Sequence, residues 1–173
     1  LYQYVVNKKG PGTSPIAESG GFLRTRPGLA APDIQLHFIP ALVIDHGRTR
    51  LNKDGFSLHI CALRPESKGS IHITSPDAAK PPAIKFNFLS AAIDRDLTVK
   101  ALRIARSIMT APAMAPLKLT EQAPGPERQS DDEIIAWVKA TAETTYHPVG
   151  TCKMGNDPMA VVDTQLRVHG LGG

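Results

Sequence analysis

A period of two runs through the stretch Phe56-Ser57-Leu58-His59-Ile60-Cys61-Ala62. Apolar side chains occupy every second position, and serine, histidine and cysteine occupy the positions between them. This alternation is typical of a β-strand with one buried face. Residues 33–38 have the same pattern, which places Gln35 and His37 on the polar face. Together the two stretches predict an antiparallel sheet with one face in the core.

Two further segments are predicted to join the same sheet. Residues 65–69 are typical of a turn, so residues 70–74 are expected to return antiparallel as the second half of a hairpin, with two isoleucines as their apolar face. A short apolar stretch around Ile84 follows a proline-rich loop. By contrast, residues 1–26 are rich in turn signals and are expected to be mostly loop.

The second half of the chain has helical periodicity. Asp94 is expected to cap a helix that Pro112 ends, and this helix should pack on the sheet. Ser130-Asp131-Asp132-Glu133 has the spacing of a capping box, and its helix is expected to end near Glu143. Strands followed by helices predict an α+β fold, a mainly antiparallel sheet covered on one face by helices. The apolar positions of the first helix recur at helical spacing and are Leu97, Ala101, Ile104, Ala105 and Ile108.

Composition narrows the class of protein. The 173 residues are 42% hydrophobic, which is enough for one globular core. With 20 Lys and Arg against 16 Asp and Glu the net charge is +4, but the basic residues are scattered, which disfavours a nucleic-acid groove. No apolar run approaches the roughly 20 residues that a transmembrane helix needs, and Leu1 begins no signal sequence. We therefore expect a soluble, cytoplasmic protein.

The two cysteines do not indicate a disulfide framework or a metal site. Neither Cys61 nor Cys152 belongs to a C-x-x-C pair, so reduced thiols are expected. His59 shares a strand face with Cys61, and the two could be combined with His147 and Cys152 as zinc ligands. Structural zinc sites usually draw on close ligand pairs, which His-x-Cys on a strand matches poorly. We therefore predict no metal site.

The loop at residues 144–155 carries the strongest candidate for chemistry. It follows a helix, and catalytic residues collect on loops that rigid elements support. Pro148 restricts the preceding residue to extended conformations, so the imidazole of His147 has a defined direction. Near its ordinary pKa, an imidazole can accept a proton at neutral pH. From spacing alone, however, an ordinary hydrogen-bonded loop histidine is the commoner explanation.

Three motifs stand in order at the C-terminal end of the chain: Tyr146-His147-Pro148-Val149-Gly150-Thr151-Cys152-Lys153-Met154-Gly155, Ala160-Val161-Val162-Asp163 and Leu166-Arg167-Val168-His169-Gly170. Further motifs lie upstream at residues 17–22, 32–38, 64–69 and 82–87. Their content and order resemble the glucose-methanol-choline (GMC) oxidoreductases, and choline dehydrogenase-like members in particular. These are FAD-dependent alcohol dehydrogenases and oxidases. The resemblance covers nearly the whole chain.

The resemblance implies roles for five residues. It makes His147 the catalytic base that accepts the substrate hydroxyl proton while a hydride leaves the same carbon for flavin N5. It places Tyr146 and His37 at the substrate, although a packing role for the tyrosine and a satisfied sheet histidine are the alternatives. It brings Gly150 and Gly155 close to the isoalloxazine ring of FAD, although turn formation explains these glycines about as well.

The resemblance also implies a division of the chain. Residues 1–30 would be a loop-rich lead-in, residues 31–143 a substrate-binding domain, and residues 144–173 the catalytic loop and the start of the return to an FAD domain. The family's G-x-G-x-x-G fingerprint is absent, and its second catalytic residue would lie beyond Gly173. We therefore expect a fragment that is inactive and without FAD by itself. Its partners would be the missing FAD domain and a small primary alcohol, with choline-like alcohols among the candidates.

A different class of function fits the same residues without redox chemistry. A stand-alone α+β module could use its sheet to hold a small ligand or a partner protein. A flavoprotein absorbs visible light and such a module does not, so an absorption spectrum separates the two hypotheses.

Overall fold

The alternating stretches form the sheet that their pattern predicts. The computed structural model describes residues 2–49 and 51–172. Strands Ser19–Leu23 (β1), Ile34–Ile39 (β2) and Ser57–Ala62 (β3) make an antiparallel sheet in the order β1-β2-β3. Leu36 lies opposite Ile60 in this sheet, and His37 lies opposite His59. The apolar and polar faces therefore coincide from strand to strand.

The apolar face of this sheet packs against a long helix, Ala92–Met109 (α2). Ile34 and Leu36 of β2 are buried with Leu97 and Ala101 of α2, which confirms the predicted spacing of apolar positions. Burying each leucine or isoleucine side chain contributes about 1.5–3 kcal/mol. The side chains packed around this core are Leu23, Leu58, Ile60, Ala62, Ile104 and Ile108.

A second helix, Asp131–Thr141 (α3), packs against α2. The predicted capping box is present: the Glu133 N–H donates to Ser130 Oγ (3.3 Å), and the Ser130 N–H donates to Glu133 Oε2 (2.9 Å). These bonds pair backbone donors that have no partner within the helix. Ile134 follows in the first turn and is fully buried. The α+β fold expected from the sequence is thus confirmed.

The prediction that Asp94 caps α2 is wrong. The helix begins two residues earlier, and Asp94 lies buried in its first turn. The carboxylate accepts the backbone N–H groups of Glu66 (2.9 Å) and Ser67 (2.7 Å). Burial opposes ionisation, but the Ser67 hydroxyl and these two N–H groups outweigh it and lower the pKa of Asp94. Asp94 therefore fastens the turn after β3 to the start of α2.

The predicted hairpin with β3 is also wrong. Residues 70–74 do not return alongside β3, and the backbone of the preceding turn is hydrogen-bonded to Asp94 of α2. Strand Ser70–His72 (β4) pairs instead with Ala83–Lys85 (β5), in a separate two-stranded antiparallel sheet. The single sheet expected from the sequence is therefore two sheets. The isoleucines at 71 and 73, expected to form a buried apolar face, are exposed.

The N-terminal segment contains a strand that its turn signals did not predict. Gly20 of β1 lies so close to β2 that a Cβ atom there would collide with the carbonyl oxygen of Leu36. Gly20 therefore allows the two strands to approach closely and does not form a turn.

After β1, the Asp33 carboxylate binds Thr25. Asp33 Oδ1 accepts the Thr25 N–H (2.8 Å) and Asp33 Oδ2 accepts the Thr25 hydroxyl (2.6 Å). The remaining elements are short: helix Tyr2–Val5 (α1) and 3-10 helices Pro11–Thr13, Asp45–Gly47 and Pro112–Leu117.

The chain divides into two compact units between Glu143 and Thr144. The first contains the two sheets and the helices. The second is held by isolated bridges that join Val162 to Met154 and to Val168, and Val162 is its buried residue. Among the helices within residues 2–49 and 51–172, none combines the length and apolar character that crossing a bilayer requires.

Candidate functional site

The loop with His147 belongs to the second unit, and its backbone turns just before that residue. Tyr146 has a φ of 61°, in the left-handed region, and its N–H donates to Thr144 Oγ1 (3.0 Å). Pro148 follows His147 directly. The side chains of Tyr146 and His147 are both exposed. The loop therefore presents an imidazole between two backbone constraints, where another molecule can reach it.

Gly150 gives this loop an open surface. Its φ is 105°, which other residue types rarely adopt. Apart from Gly150 and its two neighbours in the chain, no heavy atom of the described residues lies within 4 Å of the position that a Cβ would occupy. The backbone conformation therefore requires glycine at position 150. Because glycine has no side chain, the backbone there is accessible to a flat group. A flat ring would have room to approach the backbone at this position.

A network of hydrogen bonds supports the rest of the second unit. The Gly155 N–H donates to the Val162 carbonyl (2.9 Å), and a His169 ring nitrogen lies 3.0 Å from the Gly155 carbonyl oxygen. Arg167 Nε donates to Asp163 Oδ2 (2.8 Å), and the Arg167 side chain is the main cause of the lowered pKa of Asp163. These contacts connect residues 153–169 of the second unit to one another.

The first unit contributes a polar sheet face. Its residues lie on the side of β2 and β3 away from α2, as the alternation predicted. His37 is directly opposite His59, and Gln35 is directly opposite Cys61. His37 Nε2 is buried and has no hydrogen-bond partner in the described part of the chain. Buried polar atoms are usually paired, so this nitrogen is available for a hydrogen bond to a bound molecule or to water.

His59 is held towards its neutral form. The surrounding protein atoms partly desolvate His59, although the residue is exposed, and this lowers its pKa. The neighbouring His37 lowers the pKa of His59 further. Glu143 acts in the opposite direction, but the pKa of His59 remains below its ordinary value. Glu143 itself accepts the His46 N–H (3.0 Å), and its Oε2 lies 3.2 Å from His46 Nδ1. No short motif indicates the contact between Glu143 and His46, because 97 positions separate the two residues.

The structure therefore groups the candidates in two places. Tyr146, His147 and Gly150 share one loop of the second unit. His37 pairs across strands with His59 in the first unit. Within residues 2–49 and 51–172, no three histidine, cysteine, aspartate or glutamate side chains are arranged to hold a metal ion. The chemistry that these groups offer is proton transfer and hydrogen bonding by imidazoles.

Comparisons with known proteins agree with the motifs. The model of the GMC oxidoreductase family matches residues 65–173. An alcohol dehydrogenase [acceptor] of Pseudomonas putida is 45% identical over 171 residues, which are 99% of this chain and 31% of that protein. An oxygen-dependent choline dehydrogenase of Ectopseudomonas mendocina is 43% identical over 99% of this chain and 30% of that protein. The chain thus spans about a third of the length of these relatives.

Solved structures share the fold. Pyridoxine 4-oxidase from Mesorbium loti has a TM-score of 0.78 and 28% identity, over 91% of this chain and 31% of that chain. Formate oxidase from Aspergillus oryzae RIB40 has a TM-score of 0.80 over 97% of this chain and 34% of that chain. At 23% identity, this structural likeness shows a shared fold.

Proposed function

The chain belongs to the GMC oxidoreductase family, and from this premise we propose that its parent protein oxidises a primary alcohol to an aldehyde with FAD as the hydride acceptor. Here the parent protein means a protein of the relatives' length, of which these 173 residues would form about a third. The names of the relatives, an alcohol dehydrogenase and a choline dehydrogenase, support an alcohol as substrate. Residues 31–143 serve as the substrate-binding domain, and residues 144–173 carry the catalytic loop.

One observation carries this proposal. The exposed imidazole of His147 is held between left-handed Tyr146 and Pro148, inside the segment that the family model matches. An alcohol is a poor hydride donor until negative charge develops on its oxygen. The neutral imidazole of His147 accepts the hydroxyl proton and so promotes this charge. A lysine or arginine there would already be protonated and could not accept it.

The remaining assignments concern binding. His37 contacts the substrate, since its buried Nε2 lacks a partner and a hydroxyl can supply one. Tyr146 contacts the substrate from beside the base. Gly150 and Gly155 would border the flavin, and the open backbone at Gly150 supports this placement. Bound FAD would supply the hydride acceptor, and the phosphate-binding fingerprint it needs is absent from this chain and is assigned to the rest of the parent protein.

Anaerobic mixing of the parent protein with alcohols tests the proposed reaction. The purified protein is expected to absorb visible light as a flavoprotein, and n-butanol is expected to bleach that absorption. The matched control is tert-butanol, which has a hydroxyl but no hydrogen on the carbinol carbon and so cannot donate a hydride. A colourless parent protein, or a flavin that no primary alcohol reduces, would favour the binding-module hypothesis.

A further inference from the structure

Glu143 and His46 are in contact at the point where the chain leaves the first unit. Glu143 Oε2 accepts the backbone N–H of His46 (3.0 Å) and lies 3.2 Å from its ring nitrogen Nδ1. We call this contact the anchor. The two side chains are only 24% (His46) and 33% (Glu143) exposed, so water and salt screen the contact less than they would at an open surface. The charge of Glu143 also favours the protonated form of His59 on β3, so one carboxylate acts on two histidines that are distant in sequence.

The backbone that Glu143 holds is strained. Asp45, His46 and Gly47 have φ values of 49°, 51° and 79°, which places three consecutive residues in the left-handed region. This conformation costs free energy for residues other than glycine, because Cβ comes too close to the following carbonyl oxygen. Strained backbone persists where its surroundings fix it, and it occurs preferentially at functional sites. By accepting the His46 N–H, Glu143 stabilises this conformation.

On its other side, Glu143 is joined to the loop that carries His147. Helix α3 has ended before Glu143, and the backbone at Ala142 is extended, with φ of −65° and ψ of 138°. Thr144 directly follows Glu143 and begins the second unit. Four residue steps lead from Glu143 to His147, and they span at most about 14 Å. Within them the Tyr146 N–H donates to Thr144 Oγ1 (3.0 Å), which constrains the connecting backbone.

We propose that Glu143 is a positioning residue for the reaction, because its contact with His46 fixes the point from which the His147 loop begins. This inference rests on the proposed role of His147 as the base. Displacement of a reacting group by about 1 Å costs about a hundredfold in rate. Glu143 acts through the backbone and takes no part in the proton or hydride transfer. The property that the reaction requires of Glu143 is therefore its reach to His46 and not its charge.

Three substitutions of Glu143 in the parent holoprotein separate reach from charge. Glu143→Gln keeps an acceptor oxygen at the same distance from the backbone but removes the charge. Glu143→Asp keeps the charge but is one methylene shorter, and Glu143→Ala loses both. Flavin reduction by n-butanol is measured by rapid anaerobic mixing at saturating alcohol. We expect this step to be about ten- to a hundredfold slower with aspartate or alanine, and within about threefold of wild type with glutamine.

Hydrogen exchange of the Tyr146 amide gives a readout that does not depend on activity. This amide should exchange at least about tenfold faster in the aspartate and alanine variants than in wild type or the glutamine variant, because freeing the anchor opens the local structure. Asp132→Ala is the matched control. It removes an exposed carboxylate from the first turn of α3 and should leave both measurements unchanged.

Wild-type reduction in Glu143→Ala or Glu143→Asp would overturn the proposal. A glutamine variant as slow as the alanine variant would overturn it as well, because that result assigns the effect to charge. If Glu143→Ala fails to fold, the comparison of Glu143→Asp with Glu143→Gln decides in the same way. Failure of the proposed function is recognised separately: His147→Ala would then reduce its flavin at the wild-type rate, whereas exchange of the Tyr146 amide would still report on the anchor.

Discussion

Replacing Asp94 with asparagine should destabilise the protein by about 2–4 kcal/mol. The buried carboxylate accepts two backbone N–H groups, and a hydrogen bond to a charged group contributes about 1.5–3 kcal/mol. Asparagine keeps one acceptor oxygen but turns its amide donors towards the second N–H, so one of the two bonds is lost. Asp94 also lies in the first turn of α2, where a negative charge contributes about 0.3–1 kcal/mol through the helix dipole.

Asp96→Asn is the matched control for this prediction. Asp96 lies on the same helix and forms an exposed ion pair with Lys100 (2.7 Å). Such pairs contribute about 0.3–0.5 kcal/mol, so this variant should behave almost as wild type. Urea unfolding of the parent protein compares the two variants, and hydrogen exchange of the Glu66 and Ser67 amides reports on the bonds directly. Equal unfolding midpoints, with unchanged exchange at these amides, would refute the role assigned to Asp94.

Acid dependence gives a second measurement on the same variant. The pKa of Asp94 is lower in the folded state than in the unfolded state, so its contribution to stability is complete above the ordinary aspartate value of about 3.9. That contribution is lost as the pH falls through the folded-state pKa. The Asp94→Asn protein should therefore lose less stability than wild type in this acidic range. A parallel loss in both proteins would show that the lowered pKa of Asp94 does not contribute.

The other predictions concern the core, a helix cap and a second titrating group. Leu36→Ala should lower the free energy of unfolding by about 3–4 kcal/mol, measured by urea unfolding, because it opens a cavity between β2 and α2. Ser130→Ala should cost about 1 kcal/mol and increase amide exchange in the first turn of α3, whereas an unchanged rate there would contradict the capping box. The pKa of His59 is lower in the folded protein than in the unfolded chain. The contribution of neutral His59 to stability is therefore complete above about pH 6.5 and decreases as the pH falls below that value. His59→Gln should reduce the loss of stability between about pH 7 and pH 5, and an unchanged loss would contradict this.

The parts of the fold that follow from local patterns could be predicted from the sequence. Residues a few positions apart determine the alternation in β2 and β3 and the apolar spacing in α2. The same is true of the capping box at Ser130. Strand pairing is not local. The β4 strand pairs with β5 and not with the preceding strand β3, and no local pattern in the sequence indicates this choice. The β1 strand was missed because its glycines were interpreted as turn signals, whereas Gly20 allows close approach of the strands.

In the candidate site too, local patterns predict some features and tertiary packing determines others. Alternation alone placed His37 on the polar face of the sheet, and the structure confirms that face. The orphan Nε2 of His37 and the contact between Glu143 and His46 arise from tertiary packing, which no short motif indicates. The role of His147 was inferred from the resemblance to the family and stays a prediction.

The rate of flavin reduction in a His147→Ala parent protein tests the central claim most directly. Rapid anaerobic mixing with a primary alcohol isolates this step from reoxidation. If His147 is the base, the variant should keep its flavin and reduce it roughly a hundred- to ten-thousand-fold more slowly than wild type. His72→Ala, on an exposed position of β4, should stay within a few-fold of wild type. A His147→Ala protein that binds FAD and is reduced at the wild-type rate across neutral pH would contradict the assignment.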